Sequence, residues 1–477
     1  MDDRTQTQSF DDADAAVARI AEIYEAGAAR LRDGFARVAG GEAPGPVSAM
    51  YPFVGFTVGH AELNTDARHS YGVLLEAGDY RATVTRPDLF GAYYREQIAM
   101  VMRRHSIPVQ VGVSHRPIPL PYVVERSVVD VGEAEVRALQ QHFALPDLDT
   151  TDDTIANGTR ARDALRAKPL ALFSAERVDY SLARLDHYTG TAPRHFQGFI
   201  LLTNYQRYVD AFVEHGKAQI GSDGYEAFVE PGRVHRPGEA PEGKAPRHLP
   251  QMPAYHLTRS DGAGVTMINI GVGPSNAKTI TDHLAVLRPH CWLMLGHCAG
   301  LRRSQLLGDY VLAHGYVRAD HVLDQDLPGW VPVPPIAEVQ QALQEATALV
   351  TGLEGQEMKT RMRTGTVFTT DNRNWELRAD ELFGQLNQSR AIAVDMESAT
   401  VAANGFRFRV PYGTLLCVSD KPLHGELKLG GMANAFYRER VSQHLSVGLE
   451  TMRILRERGV GRLHSRKLRG FDEPAFR

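Results

Sequence analysis

The sequence predicts an α/β fold: a mixed central sheet flanked by helices, carried behind a smaller N-terminal α+β domain. Three observations lead there. At 477 residues the chain is too long for one compact core. Periodicity fades over Leu145–Asn157, a stretch rich in Asp and Thr. Beyond Phe196, short apolar runs that do not alternate with polar residues are followed by helical patterns, as in a buried parallel or mixed sheet. Domains are therefore expected over residues 1–160 and 161–477.

The first element is an amphipathic helix over Asp11–Val38. Asp11 or Asp12 would be its N-cap, and Val17, Ile20, Tyr24, Ala28, Leu31 and Phe35 recur at helical spacing. Gly27 and Gly34 interrupt that pattern. Two strand-like runs, Tyr71–Leu75 and Arg81–Thr85, read as a hairpin turning at Ala77-Gly78-Asp79. A helix over Leu89–Arg104, strands near Val109–Val113 and Tyr122–Val124, and a helix over Glu133–Phe143 complete the first domain. In the second, Gly198–Thr203, Val265–Ile270, Cys291–Leu295, Thr366–Thr370, Ala391–Val394 and Gly413–Val418 are expected strands. Helices are expected from Gln206 and Ser275, and over Ile336–Thr351, Met396–Gly405 and Asn434–Arg456. The Pro- and Gly-rich stretch Glu230–Pro253 is either a surface excursion or a mobile lid. The basic stretch Arg462–Arg469 reads as a solvated end.

Composition narrows the function classes. Apolar residues make up 43% and charged residues 23%, as in ordinary globular proteins. A net charge of -4 does not favour nucleic acid as a partner. Three cysteines (Cys291, Cys298, Cys417) without a CxxC pair argue against a disulfide framework and a zinc site, and fit a reducing cytoplasm. The N-terminus has no signal-peptide pattern, and no apolar run reaches membrane-spanning length. A cytoplasmic protein without metal, cofactor or membrane partner is expected.

Chemistry is expected in the loops that follow the strands, where ligands bind in such folds. Gly271-Val272-Gly273-Pro274-Ser275-Asn276 carries a strand into a helix through glycines, a turn that lets amides approach an anion. Gly296–Leu301 is a second small-residue loop. Asp395-Met396-Glu397 ends a strand, and Ser419-Asp420 ends another. Carboxylates at the ends of apolar strands are costly unless paired, hydrated or used. A single one is usually a cap or ion-pair member; two beside two glycine loops point to a site.

These loops, in this order, resemble the nucleoside phosphorylase and nucleosidase family. That family has a Gly-rich strand-end loop, a GTCGG-like loop, a V-E-M-E motif and an S-D dipeptide. Here they stand as Gly271–Ser275, Gly296–Gly300, Val394–Glu397 and Ser419-Asp420. DYSLARLDHYTGT (Asp179–Thr191), AVDMESATVAANG (Ala393–Gly405), CVSDKPLHGELK (Cys417–Lys428) and YGVLLEAGDYRATVTRPDLFGAYYREQI (Tyr71–Ile98) are similar to the branch with an extra N-terminal domain that acts on AMP. The resemblance spans almost the whole chain. It implies a nucleoside phosphorylase-like fold and hydrolysis of the N-glycosidic bond of AMP to adenine and ribose 5-phosphate.

Residue by residue, it implies that Asp420 protonates or hydrogen-bonds the purine at N7. The base then leaves neutral while the sugar becomes an oxocarbenium ion, a general-acid effect of roughly 10²–10⁴-fold. Glu397 takes the ribose 2′- and 3′-hydroxyls, with Met396 against the sugar. Asp395 is a secondary sugar contact or a structural acid. Phe368 stacks on the base or is an ordinary core residue. Gly273, Ser275 and Ser419 line the site. His187, and with it Arg184, matches a neighbouring subunit's contribution at the 5′ end of the sugar, which implies a homo-oligomer, expected to be a hexamer. Lys278, Arg302, Arg303 and Lys421 are further cations near the loops.

Phosphorolytic relatives hold phosphate with arginines where this chain has Met294 and Tyr208, so water is the expected nucleophile. Gln206, Arg207, Tyr208 and His297 are the residues offered where a base could act. For the first domain the resemblance implies regulation, with ATP as activator and phosphate as inhibitor; Arg81, Arg86, Arg103, Arg104, His115 and Arg116 could meet phosphates. The competing readings are a purine nucleoside phosphorylase-type transferase and a non-catalytic adenine-nucleotide sensor.

Overall fold

In the computed structural model, which describes residues 7–42, 45–63, 68–124, 139–161, 167–426, 434–463 and 468–477, contacts divide the chain into two units. One comprises Met1–Ala183 with Arg469–Arg477, the other Arg184–Leu468.

The first unit runs β1 (Gln8–Phe10), α1 (Ala13–Ala39), β2 (Met50–Val58), β3 (Gly78–Thr83), α2 (Pro87–His105), β4 (Val109–Pro117) and β5 (Lys168–Pro169), and α3 (Ala175–Thr189) crosses into the second. Asp12 caps α1 by accepting from the Ala15 amide at 2.8 Å. The two glycines inside α1 mark its close approach to the chain beside it. A Cβ on Gly27 would stand 3.1 Å from Ala49 Cβ, and one on Gly34 would stand 3.0 Å from Val47 Cγ1.

The strands form a five-stranded sheet in the order β1-β4-β2-β3-β5. Here the expected hairpin fails. Gly78–Thr83 pairs antiparallel with Met50–Val58, and residues 71–75 form no strand. The turn signal at Ala77–Asp79 was local, whereas the partner of β3 lies some twenty residues earlier. That partner, β2, was missed because Pro52 and Gly55 weaken its strand pattern; Pro52 sits where the ladder with β4 shifts register. Near the expected strand Tyr122–Val124 the chain makes a short 3₁₀ turn over Leu120–Tyr122. Of the expected helix Glu133–Phe143, residues 133–138 lie outside the described residues. The C-terminus is more than a solvated end: Phe476 is buried in this unit, and Arg469 lies over the Tyr71 ring at 4.6 Å.

Asp179, on the first-unit half of α3, is buried and accepts from Tyr51 Oη at 2.6 Å and Thr85 Oγ1 at 2.9 Å. Burial outweighs these donors and pushes its carboxyl up to about 7.

The second unit continues with β6 (Phe199–Thr203), α4 (Gln206–Gln219), β7 (Ala227–Glu230), β8 (Arg233–His235), β9 (Glu242–Gly243), β10 (Ala254–Thr258), β11 (Val265–Asn269), α5 (Pro274–Leu284) and β12 (Cys291–Gly300). Then come β13 (Tyr310–Ala319), α6 (Ala337–Thr351), α7 (Gly355–Arg361), β14 (Met362–Thr370), α8 (Ala379–Gln388), β15 (Ala393–Asp395), α9 (Ser398–Phe408), β16 (Tyr412–Asp420) and α10 (Asn434–Arg458).

The expected mixed sheet is present as an 11-stranded sheet, β15-β14-β13-β16-β12-β6-β11-β10-β7-β8-β9. Its centre, β16-β12-β6-β11, is parallel; β13 meets β16 antiparallel. The end of β12 also pairs with β15, closing β15-β14-β13-β16-β12 into a ring. All ten residues of β12 are buried, as a doubly covered strand requires. Glu230–Pro253 begins as an edge hairpin (β7-β8-β9) and is exposed over most of its length.

Candidate active site

The site is built where β6, β11, β12, β15 and β16 end. Glu397 is its centre. It stands between the last residue of β15 and the first turn of α9, and it is 1% exposed. The Gly273 amide donates to Glu397 Oε1 at 2.6 Å, and Asn204 Nδ2 donates to Oε2 at 2.9 Å. Gly273 can aim its amide this way because its φ of 113° suits glycine alone. Each carboxylate oxygen keeps a lone pair for a ligand hydroxyl.

Asp395 holds the turn that presents Glu397. It accepts from Thr369 Oγ1 at 2.6 Å, the Ser398 amide at 2.8 Å and the Glu397 amide at 3.4 Å, and closely from Ser398 Oγ. Thr369 in turn accepts from the Ala399 amide at 3.0 Å. With both oxygens occupied, Asp395 is arranged as a structural acid. Burial first, and the Asp395 charge second, raise the Glu397 carboxyl well above the usual glutamate range.

Asp420 ends β16 beside Ala299 of β12. It is half-buried, and its Oδ1 accepts from Ser419 Oγ at 2.6 Å. Met396, Gly273 and Ser275 line a cavity of about 510 Å³ with Asn276, Asp320 and Arg373. That volume is in the range of small-ligand sites. Asp420 does not line it, whereas Gly273 and Met396 connect it to Glu397.

The remaining expectations fall elsewhere. Phe368 is 1% exposed in an apolar cluster with Trp375, Leu386 and Val394, so this form displays it as a core residue. Arg184 donates to Tyr188 Oη and lies over that ring at 4.5 Å; His187 is exposed on the same helix end. Neither lines the cavity. Lys278 pairs with Asp282 at 2.6 Å, buried Lys421 with Glu426 at 2.6 Å, and Arg302 donates to the Arg390 carbonyl. Met294 and Tyr208 are fully buried, and Tyr208 Oη meets His444 Nδ1 at 2.7 Å. Burial lowers the His444 imidazole to about 3, so this pair is a neutral core contact. The His297 ring packs against Tyr205 at a centroid distance of 4.4 Å.

Two residues were missed. Arg373 is the guanidinium that lines the cavity, in the loop after β14. Its signal was weak: a surface-type residue three positions past an expected strand. Asn204, clamped on Glu397, lies in the loop after β6 that stands out in the sequence, but it drew no role of its own because an amide at a strand end has no distinctive spacing.

A buried carboxylate clamped at a glycine-turned helix start, with a second acid across β12 at the end of β16, is the arrangement expected of a phosphorylase-type nucleoside-cleaving site. Residues 225–447 match the family described as "Phosphorylase superfamily", and residues 15–166 match "Bacterial AMP nucleoside phosphorylase N-terminus". AMP nucleosidase of Escherichia coli (strain K12) is 48% identical over 99% of this chain and 98% of its own length, and the O157:H7 protein matches equally. The chain belongs to the AMP nucleosidase family. Among solved structures, AMP nucleosidase from Bacteroides thetaiotaomicron is 31% identical, covering 59% of this chain and 98% of that one, with a TM-score of 0.44. Purine nucleoside phosphorylase from Toxoplasma gondii is 18% identical, covering 56% and 95%, with a TM-score of 0.42.

Proposed function

We propose that this enzyme hydrolyses AMP to adenine and ribose 5-phosphate, with Asp420 delivering a proton to adenine N7 as the C1′–N9 bond breaks. Glu397 takes the ribose 2′- and 3′-hydroxyls. The N-terminus of α5, through the Ser275 amide and hydroxyl, and the Arg373 guanidinium receive the 5′-phosphate across the cavity. The observation that carries the reading is the Glu397 carboxylate, clamped by Gly273 and Asn204 beside a cavity that also offers Arg373. Whole-length similarity to AMP nucleosidase supports the same reaction.

The test is incubation with AMP, adenosine and inosine, with and without phosphate, followed by separation of base and sugar. Adenine and ribose 5-phosphate formed from AMP without added phosphate are expected. Phosphate-dependent release of a sugar 1-phosphate would indicate the transferase instead, and binding without release would indicate the sensor.

Residues 1–160 are proposed as a regulatory and assembly domain, with ATP as activator and phosphate as inhibitor of a cytoplasmic homohexamer. The resemblance supports this reading, and exposed His187 is free to serve a neighbouring subunit. No helix of the described residues is long and apolar enough to cross a membrane. Titrating ATP and phosphate against AMP turnover, and sedimentation of the full-length chain, test it.

A further inference from the structure

The nucleophile in this reaction is water, and the sheet indicates where it stands. Strands β16, β12 and β6 are parallel neighbours, so their C-terminal ends share one edge. Asp420 ends β16 on one flank of β12; Asn204 follows β6 on the other. Leu202 pairs with Met294, which sets Asn204 level with Gly296, while Asp420 pairs with Ala299. The two residues are thus two strand spacings apart across the sheet, about 10 Å, and about 10 Å apart along β12. Glu397, whose loop follows β15, lies over this edge because β15 pairs with the end of β12.

A displacement at C1′ needs leaving base and nucleophile on opposite faces of the sugar. The diagonal between Asp420 and Asn204 has room for it. It accommodates a hydrogen bond of about 2.8 Å at each end, an attack distance of about 3–3.5 Å, and the glycosidic bond with part of the purine between them.

Asn204 is equipped for the nucleophile's end. Its Nδ2 is committed to Glu397 Oε2. Its Oδ1 is buried and accepts no hydrogen bond among the described residues. A buried amide oxygen without a donor is costly. That oxygen lies over Gly296, where a Cβ would stand 3.4 Å from it.

We infer that Asn204 Oδ1 holds the attacking water, on the β6 flank of the sugar, opposite Asp420. This rests on the AMP-hydrolysis reading. The water donates one O–H to Oδ1, and its oxygen forms the bond to C1′. The C1′–N9 pair leaves with adenine, and the Asp420 proton passes to N7. The added water releases its proton to solvent, from which Asp420 is reprotonated. Asn204 positions and does not deprotonate, since an amide is no base.

The test separates the acceptor role of Asn204 from its clamp on Glu397. Asn204→Ala removes both; Asn204→Asp removes the donor to Glu397 and keeps an acceptor oxygen. Each full-length variant and the wild type is assayed with AMP in water–methanol mixtures, measuring kcat, KM and the ratio of methyl ribofuranoside 5-phosphate to ribose 5-phosphate. The expected result is an Asn204→Ala enzyme with kcat lower by on the order of 100-fold, KM little changed, and a methanol share several-fold above wild type. Asn204→Asp keeps the wild-type share whatever its rate. A methanol share that moves in both variants or in neither overturns the inference, as does a rise in KM with kcat intact. If the wild type releases no adenine from AMP, it is the parent reading that falls.

Discussion

Replacing Asp395 by Asn should shift the pH dependence of the enzyme, and the structure says in which direction. Asp395 is 5% exposed and accepts from Thr369, Ser398 and Glu397. Oδ2 serves two backbone amides, so the NH₂ of an asparagine must turn toward Thr369 Oγ1, which already accepts from Ala399. Hydrogen bonds to a charged group contribute about 1.5–3 kcal/mol and neutral ones about 0.5–1.5. Weakening the two strongest should therefore cost about 2–3 kcal/mol of stability. The electrostatic effect is separate. The Asp395 charge is the second cause, after burial, of the raised Glu397 carboxyl. Removing it favours the ionised form of Glu397 and lowers its pKa, leaving the burial part in place. If Glu397 serves the ribose hydroxyls as a carboxylate, activity is lost as pH falls through its pKa. The acid limb of kcat/KM for AMP, which reports the free enzyme, should then move about one unit toward acid in the variant. The assay is a pH series of initial rates of adenine release, with urea unfolding run in parallel. A variant that loses stability while its acid limb stays in place would refute the link between Asp395 and Glu397.

Three further outcomes are expected. Asp420→Asn should lower kcat by roughly 10²–10⁴-fold with KM for AMP nearly unchanged; turnover within about tenfold of wild type would remove Asp420 as the acid. Arg373→Ala should raise KM for AMP by about 10–100-fold, the loss of a charged hydrogen bond, and leave any adenosine turnover unaffected; equal losses on both substrates would exclude a phosphate contact. Asp179, with its carboxyl pushed up to about 7, binds a proton more tightly folded than unfolded. Its contribution is present in full below the ordinary carboxylate range and is lost as pH rises through about 7. Chemical denaturation at pH 5 and pH 8 should show the wild type losing on the order of a few kcal/mol that Asp179→Asn does not lose; parallel losses in both proteins would show that Asp179 titrates normally in the fold.

What could be read from the chain alone follows from how far each signal reaches. Phe199–Thr203, Val265–Asn269 and Cys291–Leu295 were legible because a strand covered on both faces must be apolar throughout, and that needs no knowledge of its neighbours. Glu397 and Asp420 were legible because a carboxylate at the end of such a strand is costly unless it has a task or a partner. Tyr310–Ala319 was not, because a register shift between Ala313 and Gly315 interrupts the run. Gly78–Thr83 was paired with the wrong neighbour because a glycine turn reports a bend and does not name the strand that fills the next ladder position.

Asn204 and Arg373 belong to a third kind. An amide and an exposed guanidinium are cheap anywhere on a surface, so their presence in a loop says nothing. Asn204 acquires meaning only when β6 sets it level with Gly296 and Glu397 takes one end of its carboxamide, leaving the other end buried. The acids of this site could thus be found by their cost in sequence. The neutral partner proposed for the water could be found only once the strand order placed it across β12 from Asp420. On that reading strand order is itself functional: placing β6 on the same flank of β12 as β16 would leave every side chain intact and put acid and nucleophile on the same side of the sugar.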